Sequence, residues 1–255
     1  MAGCRDMEKE IAKAYELVSN SNEIVVLTGA GISAESGIPT YRGEEGLWRN
    51  YSPQELATPE AFFKNPKLVW EWYDSRRAIM KNAKPNPGHF AITALEKEKR
   101  DFTLITQNVD GLHFAAGTRN VIELHGSLWE IKCTECEKVE KNYQVPIPEL
   151  PPRCGDCGAV MRPNTVWFGE IIPMERIDRC LFAIEQCDLL LIVGTSGVVE
   201  PAASMGLIAK KSEKPVVEIN IDVTPGTGLY DASVIGKSGE TLPLLVEYEI
   251  PRNRM

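Results

Sequence analysis

Residues 23–33 read EIVVLTGAGIS, an apolar run that ends in a glycine-bounded turn. The run Glu23–Thr28 is too short for an independent helix. Its Val, Ile and Leu content is that of a strand buried on both faces of a parallel sheet. Three further runs share this character: Phe102–Thr106 (FTLIT), Leu189–Val193 (LLLIV) and Val216–Ile219 (VVEI). Helical patterns lie between and before them. Ile11, Ala14, Tyr15 and Val18 follow the i, i+3, i+4, i+7 spacing. Asn86-Pro87 predicts a helix start, with the helix running to about Lys99. Ile177, Leu181 and Ile184 stripe another helix before the third strand, and Cys180 and Cys187 fall with it as small apolar packing residues. Strands alternating with helices imply βαβ units and an open α/β sheet. One segment, about 127–162, breaks the rhythm with four cysteines amid Pro and Gly, and reads as an inserted module.

The chain has 255 residues, 43% hydrophobic and 25% charged, the balance of a globular protein of one large or two unequal domains. Its net charge of −8 argues against general binding to nucleic acid or anionic membrane. No apolar run reaches the roughly 20 residues of a membrane span, and the first ten residues lack the apolar core of a secretory signal. A cytoplasmic monomer is the expectation. Seven unevenly spaced cysteines favour a reducing compartment and a metal site over a disulfide framework.

Cys133-x2-Cys136 is followed after 17 residues by Cys154-x2-Cys157, the spacing of a zinc ribbon. Two such knuckles supply four thiolates and leave no open position, so the ion is structural. A redox dithiol pair is the weaker alternative, since thioredoxin-type proteins carry a single CxxC.

The turn Gly29-Ala30-Gly31-Ile32-Ser33 is placed to bring backbone N–H groups to a phosphate at a helix start. Alone it reads equally as a tight βα turn, because the full G-x-G-x-x-G and an acidic ribose ligand are missing. A second glycine-bounded stretch, Gly37 to Gly43, contains Thr40, Tyr41 and Arg42 and suits a segment over a bound ligand, with Arg42 against a pyrophosphate. Gln107, Asn108 and Asp110 follow the second strand, Gly194, Thr195 and Ser196 the third, and Asn220 the fourth. Ligands of open α/β sheets bind at these carboxyl ends. His125, one of three histidines, has the titration range of a general base.

In order along the chain, GAGISAESGIP, TYRG, TQNVDGLH, HG, the paired CxxC set, VWFGE, GTSGVVEPA and EIN resemble the sirtuin family of NAD-dependent protein deacylases, from about Ile24 to Leu245. The resemblance implies a Rossmann-like parallel-sheet domain (1–126 and 163–255, with a cofactor-loop and helical excursion at about 34–85) and a smaller zinc-ribbon lobe (127–162). It implies NAD as cosubstrate and one structural zinc on Cys133, Cys136, Cys154 and Cys157. Gly29, Ala30, Gly31, Ser33, Thr40, Tyr41 and Arg42 are then phosphate-side and cofactor-loop residues. The family usually has Phe at the Tyr41 position. Gln107, Asn108 and Asp110 match the nicotinamide and ribose site, and Gly194, Thr195, Ser196, Asn220 and Ser238 the adenosine side. His125 matches the catalytic base, with Asn108 beside it in the catalytic set. Val166, Phe168, Gly169, Glu170, Gly197, Val198 and Val199 match segments that clamp an acyl-lysine peptide as an added strand. The family reaction yields nicotinamide, free lysine and O-acyl-ADP-ribose.

Tyr73 and Arg76, three apart on a helical stretch, resemble the Tyr-x-x-Arg signature of desuccinylase-type sirtuins, and Ala57 matches the small residue that widens their acyl pocket. Arg pairs with a terminal carboxylate through charge-assisted bonds, and Tyr adds a donor. A neutral acetyl group would leave Arg76 unpaired, costing about 1–3 kcal/mol. Succinyl, malonyl and possibly glutaryl groups are therefore expected over acetyl, with Arg77 the solvated neighbour. Plain deacetylation, mono-ADP-ribosyl transfer and NAD hydrolysis by the same site remain the alternatives.

Overall fold

The computed structural model describes residues 2–41 and 52–246. In chain order the elements are α1 (Ala2–Asn20), β1 (Glu23–Thr28), α2 (Gly31–Ala34), α3 (Pro53–Leu56), α4 (Pro59–Lys64), α5 (Pro66–Asn82), α6 (Pro87–Glu98), β2 (Asp101–Thr106), α7 (Leu112–Ala116) and β3 (Val121–Glu123). They continue with β4 (Gly126–Cys133), β5 (Val139–Lys141), β6 (Met161–Thr165), α8 (Met174–Gln186), β7 (Leu189–Val193), α9 (Ala202–Lys211), β8 (Val216–Asn220), β9 (Ala232–Ile235) and α10 (Ser238–Leu245).

Six strands form one sheet in the order β3-β2-β1-β7-β8-β9, and every pairing is parallel. The order reverses between β1 and β7, the dinucleotide-binding arrangement of a doubly wound sheet. Strand alternation supplies both faces. Ile24, Val26, Leu189 and Leu191 join a core with α1, α6 and α10. Val25, Leu27, Leu190 and Ile192 join a second core with α8 and α9. Each fully buried aliphatic side chain contributes about 1.5–3 kcal/mol. α6 starts where Asn86-Pro87 predicts: the Asn86 side chain accepts from Gly88 N, and His89 Nδ1 accepts from Asn86 N, a reciprocal cap.

β4, β5 and β6 form a separate antiparallel sheet in the order β5-β4-β6. Its core is shared with the excursion. Phe62, Val69, Trp70 and Tyr73 pack with Cys133, Cys154, Met161 and Trp167, and Trp70 Nε1 donates to Met161 O at 2.8 Å.

Two sequence expectations change. Leu181 is 37% exposed, while Cys180 and Ile184 are fully buried, so α8 presents Ile177, Cys180 and Ile184 to the core. Cys180 and Cys187 are packing residues as expected, though Cys187 is the C-cap rather than part of the helix. Arg77 is wholly buried rather than solvated. Its Nη2 donates to Asn142 O at 2.7 Å, Asn142 Oδ1 at 2.8 Å and Gln144 O at 3.2 Å.

Candidate active site between the sheet and the zinc lobe

The four strands that carry polar residues at their carboxyl ends bring those ends to one cleft of about 1110 Å³. Its floor is the switch point between β1 and β7. Gly29 N donates to Val193 O at 3.0 Å and Gly31 N to Gly194 O at 2.8 Å. The fit leaves no room for side chains. A Cβ on Gly31 would lie 2.7 Å from Gly194 Cα, and one on Gly194 would lie 2.5 Å from Ile32 N. Gly194 also has φ +61°, a conformation that costs a side chain extra strain. The glycines therefore let the two turns close on each other and present backbone, not side chains, to the cleft floor, a surface suited to a pyrophosphate.

Thr195 ties the strand ends together. Gln107 Nε2 donates to Thr195 Oγ1 at 3.0 Å, and Asn220 Nδ2 donates to Thr195 O at 2.7 Å. Ala30, Ser196 and Ser238 also face the cleft. Asn108 reaches it while its Nδ2 donates to Gly29 O and Ser33 Oγ, at 3.0 and 3.2 Å. Ser33 and Asp110 stand one layer behind: Ser33 Oγ donates to Asp110 Oδ2 at 2.8 Å, and both residues are buried outside the cleft wall. Burial holds the Asp110 carboxyl above its ordinary range, partly offset by Leu112 N and the Ser33 hydroxyl. Beneath them is a network with no counterpart in sequence spacing. Thr28 Oγ1 donates to Thr106 Oγ1, which accepts from Asn108 N, and His113 Nε2 lies 3.1 Å from Thr28 Oγ1.

His125 lies between β3 and β4 on the cleft wall. Its Nδ1 is 3.3 Å from Gln107 O. A carbonyl only accepts, so Nδ1 carries the proton and Nε2 keeps its lone pair. Burial lowers the imidazole pKa below its ordinary value, Gln107 partly opposing, so the ring is neutral and basic at pH 7.

The cleft continues past His125 between the two sheets. Val166 N donates to His125 O and Phe168 N to Ala57 O, both at 2.9 Å. Ala57, Tyr73, Val166 and Phe168 line this end with Trp72 and Trp167, two aromatics not among the expected substrate contacts, although Trp167 lies within the VWFGE motif. Gly169, Glu170 and Val199 line the mouth, whereas Gly197 and Val198 lie outside the lining. Tyr73 Oη accepts from Trp167 Nε1 at 2.9 Å, and burial pushes its pKa to about 12. Arg76, 6% exposed, sits behind this wall. Its Nη1 donates to Tyr41 Oη at 2.5 Å, and its guanidinium stacks on the Tyr41 and Trp72 rings at 4.5 and 5.0 Å. Arg76 thus has a neutral partner in the absence of any acyl carboxylate, which lowers the penalty expected for a neutral substrate. Thr40 and Tyr41 reach the cleft, and Arg42 lies outside the described residues.

The four cysteine Sγ atoms lie within 4.8 Å of one another. The contacts Cys133–Cys157, Cys136–Cys157 and Cys136–Cys154 are 3.4, 3.6 and 3.7 Å. A tetrahedron with ~2.3 Å Zn–S bonds has edges of about 3.8 Å, so the donor set fits a structural zinc ion.

The Sir2 family model matches residues 29–201, more than half of the chain. An NAD-dependent protein deacylase of Aquifex aeolicus is 50% identical over 225 residues, covering 88% of this chain and 94% of the relative. This chain belongs to the Sir2, or sirtuin, family. Among solved sirtuins, a Sir2 homologue–NAD complex superposes with a TM-score of 0.88 at 47% identity, covering 93% of each chain. A Sir2–p53 peptide–NAD+ complex gives 0.83 at 34% identity, covering 91% of this chain and 95% of the other. The sirtuin fold thus accounts for the Rossmann-like sheet and the cysteine-bearing lobe together.

Proposed function

We propose that this sirtuin is an NAD-dependent protein-lysine deacylase with a preference for acidic acyl groups. Similarity to relatives named NAD-dependent protein deacylase and to an NAD complex supports the first part, as does the interlocked glycine cradle at the sheet's switch point. NAD supplies a nicotinamide leaving group and the ribose that accepts the acyl group. The remaining work falls to the chain. Gly29, Ala30 and Gly31 lie where a pyrophosphate would be held, and Gln107 and Asn108 where nicotinamide and its ribose would be oriented. His125 Nε2 accepts a proton from a ribose hydroxyl. The buried aromatic wall of Trp72, Tyr73 and Trp167 keeps water from the reacting carbon.

Acidic-acyl preference rests on one observation. Arg76 is a buried guanidinium beside the acyl end of the cleft, and among the described residues it forms no ion pair. A carboxylate-ended acyl chain passing Ala57 would give Arg76 a directly bonded anion, which the neutral Tyr41 hydroxyl and the longer-range field of Asp110 do not supply. The test is one peptide carrying succinyl-, malonyl- or acetyl-lysine, incubated with NAD and followed by mass spectrometry. Free lysine and O-acyl-ADP-ribose, formed fastest from the acidic groups, are expected. Label from NAD appearing on protein instead would favour ADP-ribosyl transfer.

A further inference from the structure

The segment that leaves β6 is tied down along both of its edges. On one edge Val166 N donates to His125 O and Phe168 N to Ala57 O. Successive residues of an extended chain present their N–H and C=O groups to opposite sides. The other edge is therefore formed by Thr165 and Trp167, and both are capped by one ion pair. Arg162 Nη2 donates to Thr165 O at 2.9 Å, and Glu170 Oε2 accepts from Trp167 N at 2.8 Å. Arg162 and Glu170 bind each other through the two terminal guanidinium nitrogens, Nη2 to Oε2 at 2.9 Å and Nη1 to Oε1. The Arg162 guanidinium also lies 3.5 Å from the centroid of the Trp167 ring, which lines the acyl end. Beyond Phe168 the cap stops. Trp167 to Glu170 make a tight turn, Glu170 N to Trp167 O at 3.0 Å, with Gly169 at φ +86° in the third position that demands glycine. Gly169 is exposed, and a Cβ there would meet nothing within 4 Å.

We propose that Arg162 is a positioning residue that sets the register of substrate addition: its pair with Glu170 closes the strand edge at Thr165 and Trp167 and leaves Gly169 as the point where a peptide backbone pairs. This rests on the deacylase reading, in which an acyl-lysine peptide joins this segment as a strand. A slip of one residue turns alternate side chains to the opposite face. The acyl-lysine would then turn away from the end of the cleft that Ala57 and Trp167 line. Glu170, which the motif suggests as a substrate contact, acts inward through Arg162 and Trp167.

The experiment measures binding of a fluorescent succinyl-lysine peptide and, separately, of ADP-ribose, to zinc-loaded wild type, Arg162→Met, Arg162→Lys and Glu170→Gln. Arg162→Met is expected to weaken peptide binding roughly tenfold and ADP-ribose binding less than twofold. Arg162→Lys keeps one charged bond and recovers most of the loss. A scan of peptides N-methylated at single backbone amides is expected to show sharp intolerance at fixed positions in wild type, blurred in Arg162→Met. Unchanged peptide affinity and an unchanged methylation pattern in Arg162→Met overturn the proposal. So does equal loss of both ligands alongside a lowered Tm. A wild type that binds ADP-ribose but no acyl-lysine peptide defeats the deacylase reading itself.

Discussion

Arg76 and Arg77 are neighbours with opposite duties. Arg76 ends beside the cleft with a neutral partner in Tyr41. Arg77 is sealed against the 142–144 loop and Trp129. Spacing predicts Arg77 as the solvated neighbour of a pocket-facing Arg76, yet both are buried, because Arg77, four residues from Tyr73, shares its inward face. Arg77→Met removes a buried donor from two backbone carbonyls and the Asn142 side-chain carbonyl. It is expected to lower stability by about 1–3 kcal/mol in urea unfolding while the acyl ranking is retained. His125 carries the other residue-scale prediction. Its depressed pKa keeps the base unprotonated to lower pH. The acidic limb of kcat/KM should therefore fall below pH 6.5. A limb centred above 6.5 contradicts the assignment. His125→Tyr should abolish deacylation while zinc stays bound.

At the scale of elements, the interior strands were legible because a strand buried on both faces is a continuous apolar run. β1 and β7 have the bounds the sequence suggests, and β2 and β8 are each one residue longer. The edge strands β3 and β9 were not legible, since VIE and ASVI are short and only partly buried, without the continuous apolar run of the interior strands. The cysteine knuckles could be read from spacing alone. The Thr28–Thr106–His113 network could not, because its members lie 78 and 85 residues apart in the chain. The glycine cradle gained content from structure, since only the β1–β7 contact shows why Gly194 must lack a side chain. Gly194→Ala forces a Cβ into Ile32 N at positive φ. Isothermal titration should find ADP-ribose binding lost or at least tenfold weaker. Retained affinity would show that the turn can relax.

For the whole molecule, three cores and two sheets share one cleft, so conditions that loosen either sheet reach the chemistry. Among the described residues no helix is long and apolar enough to cross a membrane. Cys133 and Cys154 belong to the core that also holds Trp70 and Trp167, so removing zinc with a chelator should lower Tm and shift tryptophan fluorescence. Unchanged fluorescence would mean the lobe stands without metal. Acid acts elsewhere. His89 is fully buried, burial lowers its pKa to about 4, and its Nδ1 caps α6. Its folded pKa lies below the unfolded value near 6.5. The unfolded chain thus binds more protons between those values, and stability falls as pH drops from about 6.5 towards 4. Unfolding measured across that window should show the loss, and His89→Gln should reduce it without abolishing it, because burial lowers the pKa of His113 as well.

The central claim is that Arg76 makes this sirtuin prefer acidic acyl groups, and the direct measurement is the ratio of kcat/KM for succinyl- and acetyl-lysine versions of one peptide, in wild type and Arg76→Met. The account predicts a ratio of roughly ten or more in wild type that collapses in the variant through loss of succinyl turnover. A wild type that favours acetyl-lysine tenfold, with succinyl turnover unchanged in Arg76→Met, would contradict it.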